Sequence, residues 1–258
     1  MFEEISIDSK YYYHNFLSFI MLAVWVFAAV KGYKLKSYKF KRKISIWIII
    51  GCLTQEIIDF INRMFLDSNY LFSIQTDLPL LQFCQISFYF SLLCIFLTRE
   101  EVTNDRKYSF NQFLFDSAFL LGFSGAFQGI ITPDFDNINN FIGVICIQLQ
   151  HSLIILNLIW LMSTYTYRLR FKGICLTYLL INLIVPFALL LNNLLGINAA
   201  GDHANYFYVN ELPKVDNFFL NFISHHPSPD YILYIQPIFI MYFLALYIPF
   251  LLLKKYKK

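Results

Sequence analysis

Two apolar stretches of the sequence carry side chains that could bind a polar group or move a proton. The stretch TDLPLLQFCQISFYFSLL contains Gln82 and Cys84 in its first half, with a second glutamine, a serine and a tyrosine nearby. The stretch QLQHSLIILN contains Gln148 and His151. Amides donate and accept hydrogen bonds, and a neutral histidine accepts a proton near neutral pH. We expect His151 to be the only group inside an apolar segment that does so.

A third apolar stretch carries charged residues. Glu56, Asp59 and Arg63 are spaced i, i+3 and i+7, so they share one face of a helix. An ionisable group in hydrocarbon costs about 2.5 to 3.5 kcal/mol on insertion scales, and such groups normally face a bundle interior or a wet cavity. These three residues are therefore expected to face the inside of the protein.

The composition shows what kind of element must position these residues. Of the 258 residues, 58% are hydrophobic and only 14% are charged. In soluble domains roughly a quarter of the residues are charged. The composition excludes an ordinary soluble protein and predicts an integral membrane protein.

Seven apolar runs are long enough to supply the about 20 helical residues that cross a bilayer. The predicted fold class is all-α, a polytopic membrane protein with seven transmembrane helices that form one integral membrane domain over residues 1–258. Gly122, Gly125 and Gly129 in the fourth run predict close packing between helices. The runs cover approximately residues 13–31, 44–64, 78–97, 112–131, 139–163, 172–197 and 231–253.

The basic residues predict the orientation of the helices. Of the 20 Lys and Arg residues, 17 lie in alternate loops or at the C-terminus, and only Lys10, Arg63 and Lys214 lie on the opposite side. Cytoplasmic loops of membrane proteins carry the excess of basic residues. We therefore expect an outside N-terminus, a cytoplasmic C-terminus and a multi-pass location in the cell membrane.

This orientation places most of the intramembrane polar residues in the outer half of the bilayer. Their convergence at one depth predicts a polar pocket that opens outward. The alternative is that they only form hydrogen bonds and ion pairs between helices. The residues at this depth are Glu56, Asp59, Arg63, Gln82, Cys84, Gln85, Ser87, Ser124, Gln128, Gln148, His151, Asn192, Asn193, Tyr234 and Gln236.

The sequence contains no pattern typical of metal, cofactor or nucleic-acid binding. The five cysteines are an odd number without any C-x-x-C spacing, so neither a disulfide framework nor a zinc site is expected. We predict no cofactor, no metal and no nucleic-acid partner, and the sequence does not identify a protein partner.

Five motifs resemble, in order and spacing, those of the YwaF-like bacterial integral membrane proteins. The resemblance spans most of the chain, from about the second predicted helix to the seventh. That family is similar to eukaryotic transmembrane proteins that transfer fatty acyl chains onto ether lysophospholipids. The motifs are LPLLQFCQIS, SGAFQGIITPD, QLQHSLIILN, ANYFYVNELP and PSPDYILYIQP.

The resemblance implies an intramembrane cysteine and histidine as the reacting pair, and by position these are Cys84 and His151. Bacterial members commonly read Leu-His-Leu-Cys where this chain reads Leu-Gln-Phe-Cys at residues 81–84. The resemblance also leaves open that the eukaryotic cysteine lies just before that histidine, which would place it on Leu81 and leave this chain without the nucleophile.

The resemblance thus implies a phospholipid or lysophospholipid acyltransferase or transacylase, with membrane phospholipids or lysophospholipids as partners. A thiolate would attack an ester carbonyl, a histidine would carry the proton, and amides would stabilise the oxyanion. The alternative is a pocket that binds or transports a lipid or small solute without chemistry. The candidate substrate-binding residues are Glu56, Asp59, Arg63, Gln82, Gln128, Gln148, Asn205 and Tyr206.

Overall fold

Helices form almost all of the regular structure in a computed structural model, which describes residues 5–99, 107–135, 137–212 and 218–255. Within those ranges the only β-type pairing is an isolated bridge between Ile197 and His203. The all-α prediction is confirmed for the described residues. The helices are α1 (Ile7–Lys34), α2 (Tyr38–Ile61), α3 (Phe83–Leu97), α4 (Phe110–Ile131), α5 (Phe141–Thr164), α6 (Phe171–Leu195), α7 (Phe218–Ile223) and α8 (Tyr231–Lys255).

Six of the described helices are long and apolar enough to cross a membrane, namely α1, α2 with its π-helical continuation to Leu66, α4, α5, α6 and α8. The predicted third segment, residues 78–97, is helical only as α3, which has 15 residues. At 1.5 Å per residue α3 is about 22 Å long, shorter than the about 30 Å of a bilayer core.

Residues 78–82 are not helical because their backbone groups bond to the loop that follows α6. The Leu78 N–H donates to the Tyr206 hydroxyl (2.8 Å), and the Leu81 carbonyl accepts from the Phe207 N–H (3.1 Å). Leu80 has a φ of 68°, a left-handed conformation that interrupts a helix. Non-helical backbone at membrane depth is tolerated where protein buries it, and this loop provides that cover.

Local capping explains where several helices begin. The Ser109 hydroxyl accepts from the Gln112 N–H at the start of α4 (3.2 Å), and Asn140 Oδ1 accepts from the Gly143 N–H at the start of α5 (2.8 Å). Such side chains satisfy first-turn donors that have no partner within the helix. Both caps fix the ends of the two helices that build the centre of the protein.

The centre of the bundle is α5, which packs against α1, α2, α3 and α4. In contrast, α8 packs mainly on α6 and α7, and it exposes apolar side chains such as Leu233 and Met241. Lipid tails are as apolar as these side chains, so an exposed apolar periphery is the expected surface of a membrane protein.

Candidate functional site

Two glycines on neighbouring turns of α4 lie against Cys84 and His151. A methyl group on Gly125 would overlap the Sγ of Cys84, and one on Gly129 would lie 2.6 to 2.8 Å from three atoms of the His151 ring. Residues four apart share one face of a helix, with about 5 to 6 Å between their Cβ positions. The thiol from α3 and the imidazole from α5 therefore lie beside the same face of α4, about one turn apart.

Gly122 extends this surface, which we call the glycine face and define as Gly122, Gly125 and Gly129. A methyl group on Gly122 would overlap Ser87 Oγ and lie 2.7 Å from Ile154 Cγ2. The Ser87 hydroxyl donates to the Ala118 carbonyl of α4 (2.7 Å). The prediction that these glycines permit close helix packing is confirmed.

The tautomer of His151 follows from its hydrogen bond. Nδ1 lies 2.9 Å from the carbonyl oxygen of Ile147, one turn earlier in α5. Because a carbonyl oxygen only accepts, Nδ1 carries the proton in the neutral ring and Nε2 keeps its lone pair. In the neutral, half-buried ring, Nε2 is therefore the nitrogen that can accept a proton.

Cys84 lies in the first turn of α3, where backbone donors are available. Gln82 is the residue that precedes the helix, and its side chain makes no capping bond. The first N–H groups of an α-helix have no partner within the helix and attract negative charge. The thiol thus lies next to amides that could stabilise a developing oxyanion.

His14 of α1 is a second intramembrane histidine, and its presence shows that the expectation of His151 as the only proton acceptor was wrong. The ring is fully buried, and Nε2 donates to the carbonyl of Ile130 (3.0 Å), the residue after Gly129. In the described part of the chain Nδ1 has no hydrogen-bond partner. An ionisable residue inside an apolar run is a functional signal that could have identified His14 from sequence.

Gln148 joins His14 at the contact between α5 and α1. The side chain is fully buried, and Nε2 donates to Ser152 Oγ (2.8 Å) and Ser18 Oγ (3.2 Å). The Ser18 hydroxyl also donates to the His14 carbonyl (2.9 Å). Gln148 Oε1, like His14 Nδ1, has no partner among the described residues. Two buried acceptors at the α1–α5 contact therefore lack donors among the described residues.

The predicted charged set divides into two groups. Glu56 accepts hydrogen bonds from Gln150 Nε2 (2.8 Å) and the Tyr89 hydroxyl (3.4 Å). Arg63 instead bonds to Asp59 (2.5 Å) and Asp77 (2.9 Å). Glu56 thus connects α2 to α3 and α5, whereas Arg63 ties the end of α2 to the segment before α3.

Asp77 is a partner that sequence reasoning missed. Its carboxylate also accepts from the Tyr70 hydroxyl (2.5 Å) and the Ser73 N–H (3.0 Å). Burial raises the pKa of Tyr70 well above its usual range, and the bond to Asp77 acts in the same direction. Each acidic group near Arg63 is engaged in holding this segment together, which is a structural role.

Two other candidate residues bond through the loop that follows α6, and a third is exposed. Asn205 bonds within its own loop, accepting from the Glu211 N–H (3.1 Å). The Tyr206 hydroxyl donates to the Ile74 carbonyl (2.7 Å), so Tyr206 fastens the same loop to the approach to α3. The Gln128 side chain is exposed.

Within the described ranges no group of three or more His, Cys, Asp or Glu residues could hold a metal ion. All five cysteines are free thiols, and Cys175 is the exposed one. The polar groups next to the glycine face include a thiol, a serine hydroxyl, two imidazoles and backbone amides.

A family model described as the TMEM164 family matches residues 9–247. No curated protein and no solved structure gives a significant match. Because the match covers most of the chain, this protein belongs to the TMEM164 family, a family of transmembrane proteins.

Proposed function

We propose that this TMEM164-family protein transfers acyl chains between phospholipids and lysophospholipids inside the membrane. The single observation that supports this most is the placement of Cys84 and His151 on adjacent turns of the glycine face. The resemblance to the YwaF-like proteins implies acyl transfer by the same two residues. The geometry therefore supports the pair that one of the two placements of the cysteine gives.

In the first half of the reaction the Cys84 thiol gives its proton to His151 Nε2 and attacks the ester carbonyl carbon of a phospholipid. The carbon–oxygen bond to the glycerol breaks, and the leaving oxygen takes the proton from His151. The products are a thioester on Sγ and a lysophospholipid. The gap of about one helical turn between thiol and imidazole is one that a substrate hydroxyl or a single water can bridge.

In the second half a lysophospholipid hydroxyl gives its proton to Nε2 and attacks the thioester. The carbon–sulfur bond breaks, and the sulfur regains the proton from His151. In both halves the first-turn amides of α3 donate to the carbonyl oxygen as it becomes negative. The bond from Nδ1 to Ile147 keeps the ring in the required tautomer.

We propose that the chain crosses the membrane seven times and that the short helix α3 is one of these crossings. The N-terminus then lies outside and the C-terminus lies in the cytoplasm. The alternation of basic loops supports this arrangement. Tags at the C-terminus and between Lys34 and Lys41 should be protected from external protease in intact cells, whereas a tag near Ala200 should be cut. Cleavage of the C-terminal tag from outside would disprove the orientation.

The activity test uses purified protein in vesicles with isotope-labelled phosphatidylcholine and an unlabelled lysophospholipid. Mass spectrometry should detect labelled acyl chains on the acceptor. His151→Gln should reduce the rate by about 10²- to 10⁴-fold, as expected when a general base is lost. Cys84→Ala should also abolish a hydroxylamine-sensitive acyl adduct on the protein.

Matched variants separate these effects from general damage. Cys175→Ala removes an exposed thiol and His203→Gln an exposed imidazole, so both should retain the wild-type rate. Full activity of Cys84→Ala would refute the covalent route and leave His151 as base for direct transfer.

A lipid-binding module without chemistry is the second candidate function. The observation in its favour is the pair of buried acceptors, His14 Nδ1 and Gln148 Oε1, which could bind a ligand hydroxyl or ammonium group. In this case no acyl chain moves in any vesicle mixture. A lipid would instead co-purify with the wild type and be lost from Gln148→Leu.

A further inference from the structure

The loop that follows α6 covers the start of α3, where Cys84 lies. The Phe207 N–H donates to the Leu81 carbonyl (3.1 Å). The Phe207 ring also packs on the ring of Phe83, with 5.0 Å between the two ring centroids. Tyr208, the next residue of the loop, is therefore held beside the first turn of α3.

The backbone at this point of the loop is strained. Phe207 and Tyr208 both have a left-handed conformation, with φ of 58° and 51°, which is rare for bulky residues. Such a conformation persists only where the surrounding contacts fix it, and such positions cluster at active sites. Here Asn192 Nδ2 donates to the Tyr206 carbonyl (3.2 Å) just before the pair, and the Tyr208 carbonyl accepts from the Tyr231 hydroxyl. The strained pair is thus fixed from both sides.

The Tyr208 hydroxyl is a donor without a partner. Within the described ranges it makes no hydrogen bond, whereas the hydroxyls of Tyr206 and Tyr231 both donate to backbone carbonyls. Although Tyr208 is 42% exposed, burial of its hydroxyl raises its pKa to about 12, and the nearby Cys84 and Asp134 act in the same direction. The hydroxyl therefore keeps its proton at neutral pH and can donate it in a hydrogen bond.

This donor lies next to the candidate nucleophile. The Tyr208 hydroxyl is close enough to the Cys84 thiol for their charges to interact. A carbonyl group bonded to Sγ would therefore form beside the hydroxyl, and tyrosine hydroxyls are among the donors that stabilise oxyanions. A tyrosine that belonged only to the aromatic belt at the membrane surface would need neither a strained backbone nor a place beside the thiol.

We infer that Tyr208 is a further catalytic residue, whose hydroxyl donates a hydrogen bond to the acyl carbonyl oxygen during transfer to and from Cys84. That oxygen becomes negative when the nucleophile adds to the carbonyl carbon, and it returns to a carbonyl when the leaving group departs. The phenol keeps its proton throughout, so the proton transfers through His151 are unchanged. The inference rests on the proposed acyl transfer at Cys84.

The test compares tyrosine-to-phenylalanine variants of the full-length protein in vesicles with labelled phosphatidylcholine and a lysophospholipid. Tyr208→Phe should lower kcat by about 10²- to 10³-fold, the usual effect of losing one oxyanion donor, and should leave KM nearly unchanged. Its unfolding midpoint in micelles should equal that of the wild type, because the lost hydroxyl has no partner in the described chain. Tyr33→Phe is the matched control, since it removes the hydroxyl of an 83% exposed tyrosine in α1, and it should retain the wild-type rate.

Tyr206→Phe shows what a structural role would look like. Its hydroxyl bonds to the Ile74 carbonyl and the Leu78 N–H, so this variant should unfold at a lower temperature. A wild-type kcat for Tyr208→Phe would overturn the inference, and so would a fall in its unfolding midpoint as large as that of Tyr206→Phe. In both cases loss of transfer in Cys84→Ala would leave the proposed function standing. Absence of transfer by the wild-type protein would instead overturn the proposed function, and the inference with it.

Discussion

The two halves of α4 bury polar chemistry in opposite ways. In the N-terminal half Asp116 is fully buried, and its oxygens accept from the Tyr108 hydroxyl (3.0 Å) and Gln112 Nε2 (2.8 Å). In the C-terminal half the glycine face is covered by Cys84 and His151, side chains from two other helices. In the first half both carboxylate oxygens of Asp116 are hydrogen-bonded, whereas the second half brings a thiol and an imidazole to one surface.

Under the proposed function, this difference separates a structural polar site from a functional one. A buried carboxylate whose two oxygens are both hydrogen-bonded makes the local structure rigid, and removal of one of its partners is costly. Next to the glycine face, His14 Nδ1 has no partner in the described chain, and His151 keeps a lone pair on Nε2. Such unsatisfied groups are characteristic of sites that bind or react.

The largest effect on stability is expected at the Asp116 network. Gly173 of α6 faces Asp116, and a methyl group there would overlap the Cβ, Cγ and Oδ2 atoms. Because Cβ is fixed to the backbone, the carboxyl cannot move aside without breaking its hydrogen bonds. Gly173→Ala should lower the free energy of unfolding by about 3 kcal/mol, measured by denaturation in micelles.

Gly51→Ala is the matched control for Gly173→Ala, since nothing lies within 4 Å of the added methyl group. Replacement of glycine in a helix interior by alanine is intrinsically favourable by about 0.5 to 1 kcal/mol, so this variant should be slightly more stable. Equal stability of the two variants would contradict the view that Asp116 is held rigidly.

At the glycine face we expect a smaller effect on stability than at the Asp116 network, together with a loss of activity. Gly129→Ala would place a methyl group 2.6 to 2.8 Å from the His151 ring, which can rotate away about its side-chain bonds. Stability should change by less than about 1 kcal/mol because the contacted atoms are movable. Acyl transfer should fall about tenfold, equivalent to about 1.4 kcal/mol, because the displaced imidazole no longer meets the substrate.

Activity in the vesicle assay and unfolding in micelles together test this second prediction, again with Gly51→Ala as control. Wild-type transfer by a well-folded Gly129→Ala protein would mean that the position of His151 is irrelevant to the function. A large loss of stability would instead make the glycine face a structural site like the Asp116 network.

Much of the fold could be predicted because crossing a membrane is a local property. The length and apolarity of each run decide whether it can cross, so the predicted runs match the positions of α1, α2, α4, α5, α6 and α8. The start of the third run could not be found in this way. Residues 78–82 leave the helix because Tyr206 and Phe207, more than a hundred residues away in the chain, bond to them.

The candidate site was predicted only in part for the same reason. Polarity placed His151 and Cys84 among many candidates, and only the resemblance selected them as a pair. Polarity also favoured Gln128, whose side chain is exposed, and it grouped Glu56 with Arg63, which bond to different partners. Helix periodicity determines which residues share a face, but it does not determine which neighbouring helix that face contacts.

The sequence by itself determined that this is a helical membrane protein, because transfer free energies add residue by residue along the chain, and that its apolar segments contain polar and ionisable groups. Only the tertiary structure decided which groups meet. His14 bonds to Ile130 across 116 positions, and Cys84 and His151 come from separate helices. Their approach depends on glycines of α4 that let three helices pack closely, and such packing is a property of the assembled bundle.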